Sequence, residues 1–443
     1  MKKKFFGTDG IRGTFNEFPI TSTFFYSLTK AIKLTFRDVS RVLIGIDTRE
    51  SSDLIESDII CGFSNMKVEC NTLGVVSTPM LSFTTKKFNY DLGIMISASH
   101  NPYMDNGIKI FDRAGEKLCD YDELKIEKNI NLIEKTQKHP LKIEKNKVTF
   151  PEYENFLYER FSILKTFNKK ILFDCANGSL SEIAPNVLRN LNLNFSCYGI
   201  KPNGKNINKN CGATFPKEIS NRTLKERAHI GISFDGDADR VIFCDEKGTI
   251  VDGDYILAIL AMHYKNKKKL FNNSIVSTKM SNLGMRNFFL KEKIKFYLSD
   301  VGDRYVAELM KKNNCILGGE QSGHIIFSEN SFCGDGLFTA LTILEIINET
   351  NLSLSKLHRN LFSKLPQHLV NYKLSINSDV VVKDRKINNL LDKYSKTNNC
   401  DVLLRKSGTE NLLRLMVQAE SKNLVEKIVN EFLIEIKKLD ENQ

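Results

Sequence analysis

Apolar and polar positions fall in blocks along this 443-residue chain, and the blocks repeat one plan. A short apolar run that reads as a strand gives way to a polar loop, then to a helix-spaced pattern. Val42 to Ile46, Lys170 to Asp174, His229 to Phe234, Ser274 to Thr278 and Ile294 to Leu298 are runs of the first kind. Helical spacing covers Phe24 to Phe36, a stretch from Ser181, and residues 253–264, 282–290, 304–312 and 337–348. This rhythm predicts α/β sheets with parallel strands. The last part differs. Strands near 368–375, 401–404 and 412–418 precede a helix with Leu424, Ile428, Phe432 and Ile436 on one face, which describes a separate α+β module. The common plan of the first three segments hints at repeated domains of about 100 residues each.

Composition narrows the partners. A chain 41% hydrophobic and 26% charged is globular. The net charge of +11 invites a nucleic-acid or polyanion-binding reading, but the lysines are spread among 53 acidic residues. Lys2-Lys3-Lys4 and Lys267-Lys268-Lys269 are short runs. A solvated basic surface that attracts phosphorylated metabolites fits better. The ten cysteines form no CxxC, which argues for reduced thiols and against a disulfide framework or zinc site. No apolar run approaches the ~20 residues of a membrane span. Only Phe5-Phe6 separates the basic start from Gly7, so no signal-peptide core follows it. The expectation is a cytoplasmic protein with neither nucleic-acid nor membrane partners.

Candidate chemistry lies in the polar loops. The apolar run Leu92 to Ile96 leads into Ser97-Ala98-Ser99-His100-Asn101-Pro102. Asn-Pro forces a turn, which presents Ser99 at a strand end with His100 beside it and Lys109 shortly after. Asp105-Asn106-Gly107 then reads as a tight turn before a second apolar run, Ile108 to Phe111. Residues 6–13 form a glycine-punctuated loop that matches neither a dinucleotide fingerprint nor a P-loop, yet places Arg12 where it can reach a phosphate.

Asp235-Gly236-Asp237-Ala238-Asp239-Arg240 crowds three carboxylates at i, i+2 and i+4. Two such charges ~4 Å apart repel by about 4 kcal/mol at an effective dielectric of 20. A bound cation removes that penalty, and all-oxygen ligands point to Mg²⁺ or a similarly hard ion. With Glu246 the carboxylates also match an EF-hand register. Against that, Arg240 stands where the loop needs glycine, and both flanks read as strands. In Gly319-Glu320-Gln321-Ser322-Gly323-His324, Glu320 and Ser322 offer an acceptor and a donor to sugar hydroxyls. Arg405-Lys406-Ser407-Gly408-Thr409-Glu410, with Arg414, describes an oxyanion cradle. These parts together describe phosphoryl transfer on a sugar phosphate, at a site formed between domains.

In these stretches, taken in order, the chain resembles the α-D-phosphohexomutases over essentially its whole length. Phe6 to Gly13, Ser97 to Ser99, Val301-Gly302-Asp303-Arg304-Tyr305-Val306 and Gln321 point within that family to members acting on a 2-amino sugar. The resemblance implies three similar mixed-sheet α/β domains, at 1–148, 149–247 and 248–362, and a smaller C-terminal α+β domain at 363–443, around a central cleft. It implies that Ser99 is a phosphoserine and that Mg²⁺ is held by Ser99, Asp235, Asp237 and Asp239. Arg12, His100 and Lys109 would surround the transferring phosphate, with Lys109 or His100 as general base. Arg240, Glu320, Ser322, Arg405, Ser407, Gly408, Thr409 and Arg414 would bind substrate.

The implied reaction turns glucosamine 6-phosphate into glucosamine 1-phosphate for UDP-N-acetylglucosamine and cell-wall precursor synthesis. Glucosamine or glucose 1,6-bisphosphate would serve as phosphorylating activator, and the protein would be a monomer or homodimer. A phosphomannomutase or phosphoglucomutase activity on the same scaffold is the alternative. Asn411 and Phe332-Cys333 depart from common family residues without removing a proposed ligand.

Overall fold

The computed structural model describes residues 3–132, 144–397, 399–406 and 412–441. The first sheet contains β1 (Ile11–Thr14), β2 (Arg41–Ile46), β3 (Glu69–Val75), β4 (Leu92–Ile96), β5 (Asp105–Phe111) and β6 (Asn146–Lys147), in the order β1-β5-β4-β2-β3-β6. The second contains β7 (Ile171–Asp174), β8 (Phe195–Tyr198), β9 (Ile230–Phe234), β10 (Val241–Asp245) and β11 (Ile250–Val251), in the order β11-β10-β9-β7-β8. The third contains β12 (Ser274–Thr278), β13 (Lys295–Ser299), β14 (Leu317–Gly319) and β15 (Ile325–Phe327), in the order β13-β12-β14-β15. In the fourth, β16 (Gln367–Lys373), β17 (Asp401–Lys406) and β18 (Leu412–Gln418) are antiparallel, with β18 central.

One motif recurs in the first three sheets. A central strand (β2, β7 or β12) pairs in parallel with a strand on each side. The later of these neighbours (β4, β9 or β14) then turns back as an antiparallel hairpin into β5, β10 or β15. The expected parallel strands are therefore present, and the hairpin makes each sheet mixed. Helices cover the sheets, so the central strands are buried on both faces and read as unbroken apolar runs, as in Val42 to Ile46.

Two local expectations are corrected. Asp105-Asn106-Gly107 is not a turn but the start of β5, because Thr14, Gly13 and Arg12 of β1 pair with it. The long stretch of intervening chain hides that pairing from local pattern. Ile11 to Gly13, expected in a loop, is accordingly strand.

One continuous apolar cluster joins the first three units, from Leu43, Met95 and Phe111 through Phe173 and Phe234 to Leu317 and Phe338. Rings form its seams: Phe156 stacks on Phe83 and Phe338, and Phe161 meets Phe338 edge-on. The C-terminal unit has its own cluster, in which Ile428, Phe432 and Ile436 of the helix Lys422–Glu441 pack on Leu413, Leu415 and Val417.

The hairpin ends interlock. Val241 N–H donates to Gly323 O at 3.1 Å, and a Cβ at Gly323 (φ +91°) would lie 2.1 Å from Val241 O. Gly74 (φ +71°) has instead only Lys147 side-chain atoms nearby, the nearest being Cε at 3.4 Å. Alanine at either position carries the left-handed cost of about 1–2 kcal/mol. Gly323→Ala must also push two hairpins apart. Its melting temperature should therefore fall clearly further than that of Gly74→Ala, and equal shifts would contradict the interlock.

Candidate active site

Each α/β unit sends its hairpin loop to one place. Residues 97–104 link β4 to β5, 235–240 link β9 to β10, and 320–324 link β14 to β15. Each loop contains one residue in the left-handed region: Ser99 (φ 54°), Ala238 (φ 60°) and Gly323 (φ 91°). The corresponding loop of the C-terminal unit, with Ser407, Gly408 and Thr409, lies outside the described residues.

Ser99 is fully buried. Its hydroxyl donates to Asp235 Oδ2 at 2.6 Å and lies 3.2 Å from His100 Nδ1. A residue that the sequence reading passed over holds this loop. Arg49, buried, donates to the carbonyls of Ser99 (3.0 Å), Asn101 (2.9 Å), Asp105 (3.0 Å) and Pro102, and pairs with Asp47 at 2.8 Å. Asp47 also accepts from Ser97 Oγ at 2.7 Å.

The three aspartates converge, with ligand oxygens within 4.8 Å of one another. Lys109 on β5 reaches across the domain boundary to Asp237 (2.6 Å) and Asp239 (2.7 Å), and also meets Asp9 of its own domain (3.3 Å). Burial works against the Lys109 charge, yet Asp237, Asp239 and Asp9 outweigh it and hold the ammonium well above the usual lysine range. Asp239 is held well below the carboxylate range, as Lys109 and His324 overcome the cost of burial. At Asp235 burial and repulsion from Asp239 and Asp237 outweigh Arg240 and the Ser99 hydroxyl and push it well up.

Asp237 Oδ1 and Asp239 Oδ1 are buried with no hydrogen-bond partner among the described residues, and Asp239 Oδ1 has only longer ionic contacts, 3.7 Å to His324 Nδ1 and 3.9 Å to Arg240 Nε. Anionic oxygens without hydrogen bonds beside a third carboxylate fit a hard divalent cation. The EF-hand register does not fit. β9 and β10 flank the loop, and Glu246 turns away to accept from Ser355.

Beside this cluster opens a cleft of about 760 Å³. Arg12, His100, Arg240, Glu320, Ser322, Arg405 and Arg414 line it, while Ser99, Lys109 and the three aspartates are buried behind His100 and Arg240 and are not part of its lining. Burial drives His100 down to about 3, helped by Arg240 and Arg12, so the ring is neutral. Glu320 accepts from Gly302 N–H at 3.2 Å, and burial raises its pKa. Ser322 Oγ is buried and has no partner among the described residues. Arg405 and Arg414 face each other directly across β17 and β18. Like charges in that register destabilise a sheet, and burial together with Arg414 lowers the Arg405 pKa. A bound anion would relieve both costs.

Asp9, Lys117, Asp303 and His324 were not singled out from sequence as site residues. Lys117 pairs with Asp9 and Asp303, and His324 lies 3.7 Å from Asp239 and 3.4 Å from Asp303. Asp9, Asp303 and His324 sit inside the quoted motifs, which was the available signal. Several of their partners come from other domains, so pattern alone could not pair them.

A divalent cation should raise the melting temperature, by the linkage of ligand binding to folding. Asp237→Asn should remove most of that rise. No rise in the unmodified protein would contradict the cation fit.

Comparison with known proteins assigns the family. Models of the phosphoglucomutase/phosphomannomutase family match in order: alpha/beta/alpha domain I at residues 3–137, domain II at 151–248, domain III at 252–365 and the C-terminal domain at 379–435. Phosphoglucosamine mutases of Syntrophotalea carbinolica and Pelobacter propionicus are each 40% identical to the chain. The first alignment covers 95% of this chain and 94% of the relative, the second 98% of both.

Among solved structures, a phosphoglucomutase/phosphomannomutase family protein from Burkholderia thailandensis has a TM-score of 0.78 at 20% identity, covering 97% of both chains. Aspergillus fumigatus N-acetylphosphoglucosamine mutase, solved with GlcNAc-6P and magnesium, has a TM-score of 0.67 at 17% identity, covering 99% of this chain and 96% of that one. These two show the shared fold. With four domain models in order and 40% identity across nearly its whole length, the chain belongs to the phosphoglucosamine mutase branch of the phosphohexomutase family.

Proposed function

We propose that this protein interconverts glucosamine 6-phosphate and glucosamine 1-phosphate, with Ser99 as phosphoryl carrier and a glucosamine or glucose 1,6-bisphosphate to load it. One observation carries the reading: the Ser99 hydroxyl lies 2.6 Å from Asp235, at the edge of a carboxylate triad with two oxygens that have no hydrogen bond among the described residues.

In the first half-reaction the Oγ–P bond of phosphoserine 99 breaks, and a P–O bond forms to the 1-hydroxyl of glucosamine 6-phosphate. The hydroxyl proton passes to a base and ends on Ser99 Oγ, so atoms balance. The 1,6-bisphosphate turns in the cleft. The O6–P bond then breaks as Ser99 Oγ takes the 6-phosphoryl group, and the Ser99 hydroxyl proton passes to O6, leaving glucosamine 1-phosphate. Asp235, Asp237 and Asp239, with the Ser99 phosphate, would hold Mg²⁺, which when bound would supply positive charge against the transferred oxygens.

Arg12 and Arg240 supply fixed positive charge at the cleft wall. Of the two candidate bases, His100 is neutral and lines the cleft beside Ser99, whereas Lys109, buried and held as an ammonium by Asp237, Asp239 and Asp9, would first have to lose a proton, so His100 is the readier acceptor. Glu320 and Ser322 hold sugar hydroxyls. Arg405 and Arg414, with Ser407, Gly408 and Thr409, clamp the phosphate that is not transferring. The units at 1–148, 149–247 and 248–362 form the frame, and the unit at 363–443 carries the clamp.

Ser99→Ala should cut mutase turnover by on the order of 10³-fold or more. Intact mass of the isolated protein should show a fraction heavier by one phosphate, mapping to the 97–102 peptide. Normal turnover in Ser99→Ala would overturn the carrier role. Higher kcat/KM on glucose or mannose phosphates than on glucosamine phosphate would overturn the substrate.

A further inference from the structure

The sugar-facing loop carries a glutamine whose amide orientation is fixed from both ends. Gln321 Nε2 donates to Asp254 Oδ2 at 3.0 Å and to Gln367 Oε1 at 3.1 Å. Gln367 donates through its own Nε2 to the Met280 carbonyl at 3.2 Å. A carbonyl only accepts, so Gln367 must turn Oε1 to Gln321, and Gln321 must answer with its NH₂. At the other end Asp254 Oδ2 also accepts the Asn282 N–H at 3.0 Å. Burial, then Asp252, raises Asp254 to about 7. Its other oxygen, Oδ1, has no hydrogen-bond partner among the described residues, so a proton there leaves Oδ2 an acceptor. Both amide hydrogens of Gln321 are thus engaged, and Oε1 is left over on a side chain that lines the cleft.

Asp252 lines the cleft too. Its Oδ1 is buried without a hydrogen-bond partner among the described residues, while Oδ2 pairs with Lys364. Its neighbour Gly253 presses on the sugar loop. Gly253 N–H donates to Gln321 O at 3.1 Å, and a Cβ at Gly253 would stand 1.9 Å from Glu320 O.

We propose that Gln321 Oε1, with Asp252 beside it, reads the 2-ammonium group of the sugar phosphate. This rests on the hexosamine phosphate reading above and adds the residue that enforces it. An ammonium is a cation that only donates, whereas a 2-hydroxyl is neutral and both donates and accepts. A locked acceptor favours the first, and Asp252 adds its unbonded Oδ1, its other oxygen being paired with Lys364, which also lines the cleft. A glutamine free to turn its NH₂ outward would lose that preference. Gln321 touches the substrate; Asp254 and Gln367 act through it as positioning residues.

The test measures kcat/KM for glucosamine 6-phosphate and for glucose 6-phosphate, on the full chain with Mg²⁺ and glucose 1,6-bisphosphate. Gln321→Met should lower the ratio of the two about tenfold or more, the scale of one hydrogen bond to a charged group. Asp254→Asn should lower it less, because an amide there can offer its own NH₂ and release the lock. Gln321→Glu, which keeps an acceptor and adds charge, should preserve or raise it. An unchanged ratio in Gln321→Met overturns the proposal. If that variant is too unstable to assay, Gln367→Met decides in its place: a lowered ratio supports the lock and an unchanged one overturns it. A ratio at or below one in the unmodified enzyme refutes the hexosamine reading itself, before any variant is compared.

Discussion

The position of Ser99 depends on one buried guanidinium. Ser99 sits in a left-handed conformation that costs a side-chain-bearing residue of order 1–3 kcal/mol and persists only if its surroundings enforce it. Arg49 provides the enforcement. Its five N–H groups meet five acceptors: Asp47 and the carbonyls of Ser99, Asn101, Pro102 and Asp105. Burying an ion pair costs several kcal/mol in lost hydration unless every donor finds a partner, and here each does. Asp47 is also satisfied, by Ser52 and Ser97. The pair is better understood as a mould for the loop than as a source of stability.

That mould matters because the molecule reuses one hairpin three times. β4–β5, β9–β10 and β14–β15 occupy the same place in their sheets, and their ends meet. Each contributes a different chemistry to the shared point: a hydroxyl, a carboxylate triad, and the cleft-lining acceptor Glu320 with the hydroxyl of Ser322. The triad would be unstable in an isolated second unit. Lys109 of the first unit neutralises two of its members, and the Ser99 hydroxyl, also of the first unit, donates to the third, Asp235. The site is therefore a property of the assembled domains, and folding them together is what makes its charge tolerable.

This explains which parts were legible in the sequence. The aspartate triplet and the serine turn announce themselves because their residues are adjacent in the chain and follow apolar runs. Most helices and strands were legible within a few residues for the same reason. Arg49, Asp47 and the Asp9–Lys117–Asp303–His324 chain were not, because their partners lie on other elements or in other domains. The Asp105-Asn106-Gly107 segment failed differently. Its turn chemistry was real, but pairing with β1 overrode it, as tertiary contacts override local preference. Gln321 was visible as an unusual residue in the sugar loop, while the network that orients it runs through Asp254 and Gln367 and exists only in three dimensions.

The C-terminal unit stands apart in the kind of contact it makes. The first three units share one apolar cluster, whereas the fourth keeps its own core and meets the third through polar groups. Arg286 pairs with Asp401 at 2.6 Å, Gln418 bridges Leu283 N–H and Ser281 O, and Asn282 bonds both ways with Leu365. Water can replace such bonds at little net cost, while parting a shared apolar core exposes its whole area. Opening is therefore cheapest along this polar seam. On the proposed function, the facing guanidiniums of Arg405 and Arg414 would favour closure on a phosphate, since an anion between them would relieve their mutual repulsion. The proposed intermediate, which must turn end for end, would need a grip that tightens on phosphate and releases without it, and a polar seam beside two facing guanidiniums would supply both properties.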